Sequence, residues 1–256
     1  MDKNKKFDLF VVFLIIICWS AISLIFNLKP LIGAGLALLS PSFYLILREK
    51  KNLKKIFWAV LIFGGLFGFV FDFIETFNKA WIMEELVFPW KILGILPVDD
   101  ILGFFMMTLL IVLFYEHFID DEKDKRISKN TIFVLIPSIL AAIAIVVLFS
   151  INPEILTISY AYLVGGIAAM IPLIIITILK PKLLRKFVYI AVPFFFLWFL
   201  WEMIALKTGG WIFTGQYIGL VTVFGLTFPV EELFFWTMMY SSSIVSYYEF
   251  FIDDLR

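Results

Sequence analysis

Apolar stretches long enough to cross a bilayer recur along the whole chain, separated by short polar segments. A span needs about 20 mostly apolar residues, and eight stretches meet that length: about 8–27, 30–47, 56–78, 97–118, 131–150, 155–179, 187–206 and 228–250. The pattern predicts an all-α, polytopic membrane bundle of about eight transmembrane helices. The basic residues test this count, because loops on the cytoplasmic side collect Lys and Arg. With the N-terminus inside, the inner segments hold Lys3, Lys5 and Lys6, then Arg48 to Lys55, Lys123 to Lys129, and Lys180 to Lys186. The outer segments keep Lys29, Lys79, Lys91 and Lys207. The alternation predicts a multi-pass protein of the cell membrane with both termini cytoplasmic. It also reads the basic clusters as topology signals, with no nucleic-acid partner.

The two halves of the pattern resemble each other. "LPVDDILGFFMM" at 96–107 matches "FPVEELFFWTMM" at 228–239, and "FYEHFIDD" at 114–121 matches "YYEFFIDD" at 247–254. Asp72 precedes Trp81 by nine residues, as Glu202 precedes Trp211. The expected organisation is two four-helix repeats, 1–129 with the motif at Pro97 and 130–256 with the motif at Pro229. An even number of spans per repeat makes the repeats parallel, related by an axis along the membrane normal.

Carboxylates interrupt the apolar pattern. Ionisable residues inside a membrane helix are costly and mark function by default. The set is Asp72, Glu75, Asp99, Asp100, Glu202, Glu231 and Glu232. The third and seventh spans run outward, and the fourth and eighth return inward from Pro97 and Pro229. All the acidic positions therefore converge on one layer toward the outer face. No Lys or Arg is expected within a span to pair with them. Aromatic residues surround them: Trp81 in the first half, and Trp201, Trp211, Phe234, Phe235 and Trp236 in the second. Ring faces attract cations. An acid, a base and many rings suit protonation of a carbon–carbon double bond, stabilisation of the carbocation and removal of a different proton. Asp99, Asp100, Glu231 and Glu232, with Asp72 and Glu202, are the candidate catalytic residues. Trp81, Trp201, Trp211, Phe234, Phe235 and Trp236 are the candidate substrate-binding residues.

Composition narrows the choice. The chain of 256 residues is 62% hydrophobic and 16% charged, against about a quarter charged in soluble domains. No sizeable soluble domain is expected. The first apolar run lacks a clear cleavage site and reads as a retained helix. Cys18 is the single cysteine and His117 the single histidine. Disulfides and multi-histidine metal centres are therefore excluded within the chain, and neither a cofactor nor a metal is expected. His117 reads as an exposed residue. Glu116, Asp120, Asp121, Glu249, Asp253 and Asp254 read as solvated helix ends.

The paired motif "D-x8-W … P-V-[DE]-[DE]" resembles the lycopene cyclase domain of the heterodimeric and fused carotenoid cyclases. That family carries a Pro-x-Glu-Glu signature in each of two related halves. The resemblance implies non-redox closure of a linear carotenoid end into an ionone ring, with Glu231 and Glu232 in the acid–base role and Asp99 and Asp100 at the matching places. It also implies a hydrophobic polyene substrate met from the lipid bilayer. The chain departs from the family in its Asp-Asp copy and in its eight spans. Carotenoid hydratases, which share similar hydropathy, are the alternative within the same chemistry. A proton-coupled transporter or non-enzymatic membrane protein is the alternative outside it. A prenyl-peptidase-like protease is disfavoured, since no arginine shortly follows Glu231 and Glu232 and no histidine lies after them. A homodimer is compatible with the sequence.

Overall fold

Long apolar segments with few helix breakers satisfy their backbone groups internally, as a bilayer demands. A computed structural model describes residues 3–48, 52–120 and 126–253. Their helices are α1 (Lys3–Phe26), α2 (Pro30–Arg48), α3 (Leu53–Phe77), α4 (Val98–Phe118), α5 (Thr131–Ile151), α6 (Ala161–Leu179) and α7 (Pro181–Thr208). The last, α8, joins a π-helical segment, Glu232–Met239, to an α-helix, Tyr240–Phe251. The fold is an all-α bundle. The first seven helices are long and apolar enough to cross a membrane, which makes this a multi-pass membrane protein. The sequence positions of Asp121 and Asp254 lie outside the described residues.

The eighth helix is less apolar, and its position accounts for that. Every residue from Tyr240 to Glu249 is buried. Ser241, Ser242, Ser243 and Ser246 lie inside the bundle, and Trp198 Nε1 donates to Ser241 Oγ at 2.8 Å. The corresponding helix α4 is buried continuously from Leu110 to His117. Helices α5 and α6 instead leave much of their apolar surface open, including Phe133, Leu140, Ile151, Ile171 and Ile178. The two helices that begin with the acidic pairs therefore form the centre, and the greasier helices face outward.

Contacts between the halves occur in matched pairs. Short strands β1 (Ile82–Met83) and β4 (Trp211–Ile212) pair antiparallel, Ile82 opposite Ile212 and Met83 opposite Trp211. Within each half a hairpin precedes the acidic helix. Strand β2 (Lys91–Ile92) pairs with β3 (Leu96–Pro97), and β5 (Leu220–Val223) with β6 (Leu226–Pro229). Both turns place a bulky residue and then a glycine in the left-handed region: Leu93 at φ 52° and Gly94 at 74°, Phe224 at 51° and Gly225 at 80°. Such turns match the strand twist and need positive φ at both positions. The hairpins show that Pro97 and Pro229 close strands. Helix α4 starts at Val98, with Pro97 as its N-cap, rather than with proline in its first turn.

Small residues let the central helices approach closely. A Cβ on Gly64 would stand 3.0 Å from the Phe105 Cα and 3.1 Å from the Phe104 carbonyl oxygen. Backbone cannot yield as a side chain can. Gly64→Val is expected to cost about 1–3 kcal/mol, the usual range for overpacking. Thermal unfolding in detergent checks this, and an unchanged midpoint would show that α3 and α4 separate freely.

Candidate functional site

The two acidic helices open onto one cavity of about 170 Å3 at the hairpin end of the bundle. That is roughly ten times the space one water needs. Glu75, Asp99, Asp100, Glu202 and Glu232 reach its wall, and Trp81, Trp198, Trp201, Trp211, Tyr162 and Trp236 supply rings. Both halves thus contribute to a single site.

The adjacent carboxylates have different tasks. Asp99 turns toward the segment before its hairpin and accepts from the backbone N–H groups of Val87 at 2.6 Å and Phe88 at 3.0 Å. Glu231 accepts likewise from Ile218 N at 2.6 Å. Each first member therefore ties a loop to its helix. The second member faces the neighbouring helix. Glu232 faces Glu202 of α7, and Tyr162 of α6 donates its hydroxyl to Glu232. Trp211 Nε1 donates to Glu202 Oε2 at 3.2 Å. In the first half, Asp100 faces Asp72 of α3, and Trp81 is in side-chain contact with Asp72. The nine-residue spacing read in the sequence is thus the spacing that brings an indole back over the acid of the preceding helix.

π winding refines the α8 face. It inserts an extra residue per turn and is common at functional sites. The π turn brings Thr237, five residues on, beside Glu232. Trp236 also points inward and stacks on Tyr162, centroids 5.8 Å apart and planes at 19°. Phe234 and Phe235 point elsewhere, which corrects their expected place. Phe234 is half exposed. Phe235 covers Gly166 of α6, where its ring would block any Cβ. Of the expected aromatic residues, Trp81, Trp201, Trp211 and Trp236 line the cavity. The Trp81 and Trp211 rings meet edge to face at 6.0 Å, where the halves join.

The expected acids are not equivalent. Asp72 is fully buried but stands behind the wall, and Glu231 is also off it. Glu75, in the intramembrane acidic set but not among the candidate catalytic residues, joins the site, and so does Tyr162, which was not expected. Glu75 lies three residues after Asp72, on the same helix face, and its carboxylate faces Asp72 and Glu232. Its Oε1 has no hydrogen-bond partner, and it approaches α6 so closely that Gly165 leaves no room for a Cβ. Tyr162 gave no sequence signal, because its task is defined only by contact with Glu232. Among the described residues, no ion pair reaches this layer.

The loops above the cavity are locked across the halves. Tyr217 donates its hydroxyl to the Ala80 carbonyl at 2.5 Å and accepts from Gly215 N at 2.6 Å. Burial pushes the Tyr217 hydroxyl above its ordinary range, which keeps it a donor.

Compared with described protein families, curated proteins and solved structures, the chain matches none. Its chemistry is read from the site alone.

Proposed function

We propose that the protein is a membrane carotenoid cyclase, closing the end of a linear polyene such as lycopene by acid–base catalysis. The observation that carries this reading is the Glu202–Glu232 contact beneath an aromatic wall. Two carboxyl groups that face each other in a buried site can share one proton. An acid and its conjugate base then stand side by side. The Tyr162 hydroxyl and the Trp211 indole each donate to one of the two, which fixes both orientations.

In this mechanism the shared proton adds to a terminal carbon–carbon double bond. The resulting carbocation is attacked by an internal double bond, and the ring closes. A carboxylate then removes a neighbouring proton and restores the acid form. Nothing is oxidised or reduced. Trp198, Trp201 and Trp236 offer ring faces to the intermediate, each worth roughly 0.5–2 kcal/mol. The apolar remainder of the polyene stays in lipid. Parallel repeats 1–129 and 130–256 belong to the same proposal, as does an orientation with both termini cytoplasmic and the cavity toward the outer face.

Expression in cells that accumulate lycopene tests the reading. The expected result is conversion to monocyclic or bicyclic carotenoid. Unchanged lycopene beside correctly inserted protein overturns it. A hydroxylated acyclic product assigns the site to a hydratase, in which water traps the same cation.

A further inference from the structure

The opposite end of the bundle holds a second buried polar cluster, where solvated helix ends were expected. Glu116, Asp120, Glu249 and Asp253 are all buried. Tyr115 donates to Glu249, and Tyr248 donates to Glu116. Lys55 pairs with Asp253, while Lys186 reaches Asp120 at 2.9 Å and Glu249 at 3.2 Å. Lys55 and Lys186 belong to helices α3 and α7, so cations do stand within the spans at this end. His117 is also buried and lies 2.9 Å from Asp8 through Nε2.

Carboxylate oxygens of Glu116, Asp120 and Asp253 lie within 4.8 Å of one another. That is the width across one ion whose oxygen ligands stand at about 2.4 Å. An independent feature points to such an ion. Asn52, 4% exposed, donates through Nδ2 to Glu116 Oε2 at 2.5 Å, yet its Oδ1 has no partner. A buried carboxylate can relieve itself by taking a proton. An amide oxygen cannot, and needs a donor or a cation. Glu249 Oε2, facing Asp120 and Asp253, also lacks a partner.

We propose that Glu116, Asp120 and Asp253, with the Asn52 carbonyl oxygen, bind one hard divalent cation of the calcium class. All the ligands are oxygens and three are carboxylates, the donor set that such ions take. The ion would join α4 to the segment after α8 and so clamp the two halves at the end away from the cavity.

Terbium luminescence tests this on the full-length protein in neutral detergent, stripped beforehand with chelator. Tyr115 and Tyr248 are near enough to sensitise a bound Tb3+. The expected result is sensitised emission saturating at one ion per chain, displaced by Ca2+, with Ca2+ alone raising the thermal midpoint. Asn52→Ala and Asp120→Asn are expected to weaken binding by roughly tenfold or more. No sensitised emission from the wild-type protein, or emission indifferent to Ca2+, overturns the site and leaves Asn52 Oδ1 to a water. Equal affinity in inserted variants also overturns it. Should either variant fail to insert, Glu116→Gln takes its place, since it keeps the acceptor for Tyr248 while removing the charge.

Discussion

Glu232→Gln is expected to stop carotenoid conversion while leaving the protein inserted and folded. The amide keeps the carboxyl's shape and still accepts from Tyr162, but it cannot release a proton to a double bond. Loss of a positioned acid or base costs about 10²- to 10⁴-fold in rate. Tyr162→Phe makes a graded companion. It removes one hydrogen bond to a charged partner, worth about 1.5–3 kcal/mol, and leaves the proton in place. The measurement is the ratio of cyclic to linear pigment, normalised to membrane-inserted protein. Wild-type ratios from Glu232→Gln would remove this residue from the mechanism. Glu231→Gln separates the two neighbours. Glu231 holds the Ile218 N–H, which the amide oxygen still accepts, so conversion is expected to persist in this variant.

Lys55→Met is the stability counterpart, and its expected effect is large. Lys55 and Asp253 are each 1% exposed and form an ion pair. Removing one partner breaks a buried ion pair, a loss of about 3–5 kcal/mol. Thermal unfolding in detergent should show a clear drop in midpoint. A single substitution with no effect would place water around the Lys55 ammonium, contrary to its burial.

These two predictions lie at opposite ends of the bundle, and the ends differ in how much the sequence disclosed. The hairpin-end acids were legible because the chain repeats them and because span direction fixes depth. Helix count followed from hydropathy, with one qualification. The eighth helix is central, so contact with protein rather than lipid relaxed its need for apolar residues. The division of labour within "PVDD" and "PVEE" was hidden, because it depends on the segments before the hairpins, which bind the first acid, and a helix that meets the second. Phe234 and Phe235 were misplaced because π winding changes which positions share a face. At the termini end, Glu116 and Glu249 looked solvated because each meets its partner 132 to 134 residues away in the chain. No local pattern encodes a contact of that span.

The tyrosine–glutamate bonds at that end have a further consequence. Tyr115 of α4 serves Glu249 of α8, and Tyr248 of α8 serves Glu116 of α4. Lys55 and Lys186 cross in the same sense to Asp253 and Asp120. Each half holds what the other lacks, and gives what it receives. Such reciprocity is the pattern of an isologous contact, here within one polypeptide. In such an arrangement the covalent link supplies proximity and no recognition. Once the contact is made within one chain, either half can drift from the other while the shared interface constrains both. The lone Glu75, beside Asp72 on one side only, is what such freedom permits.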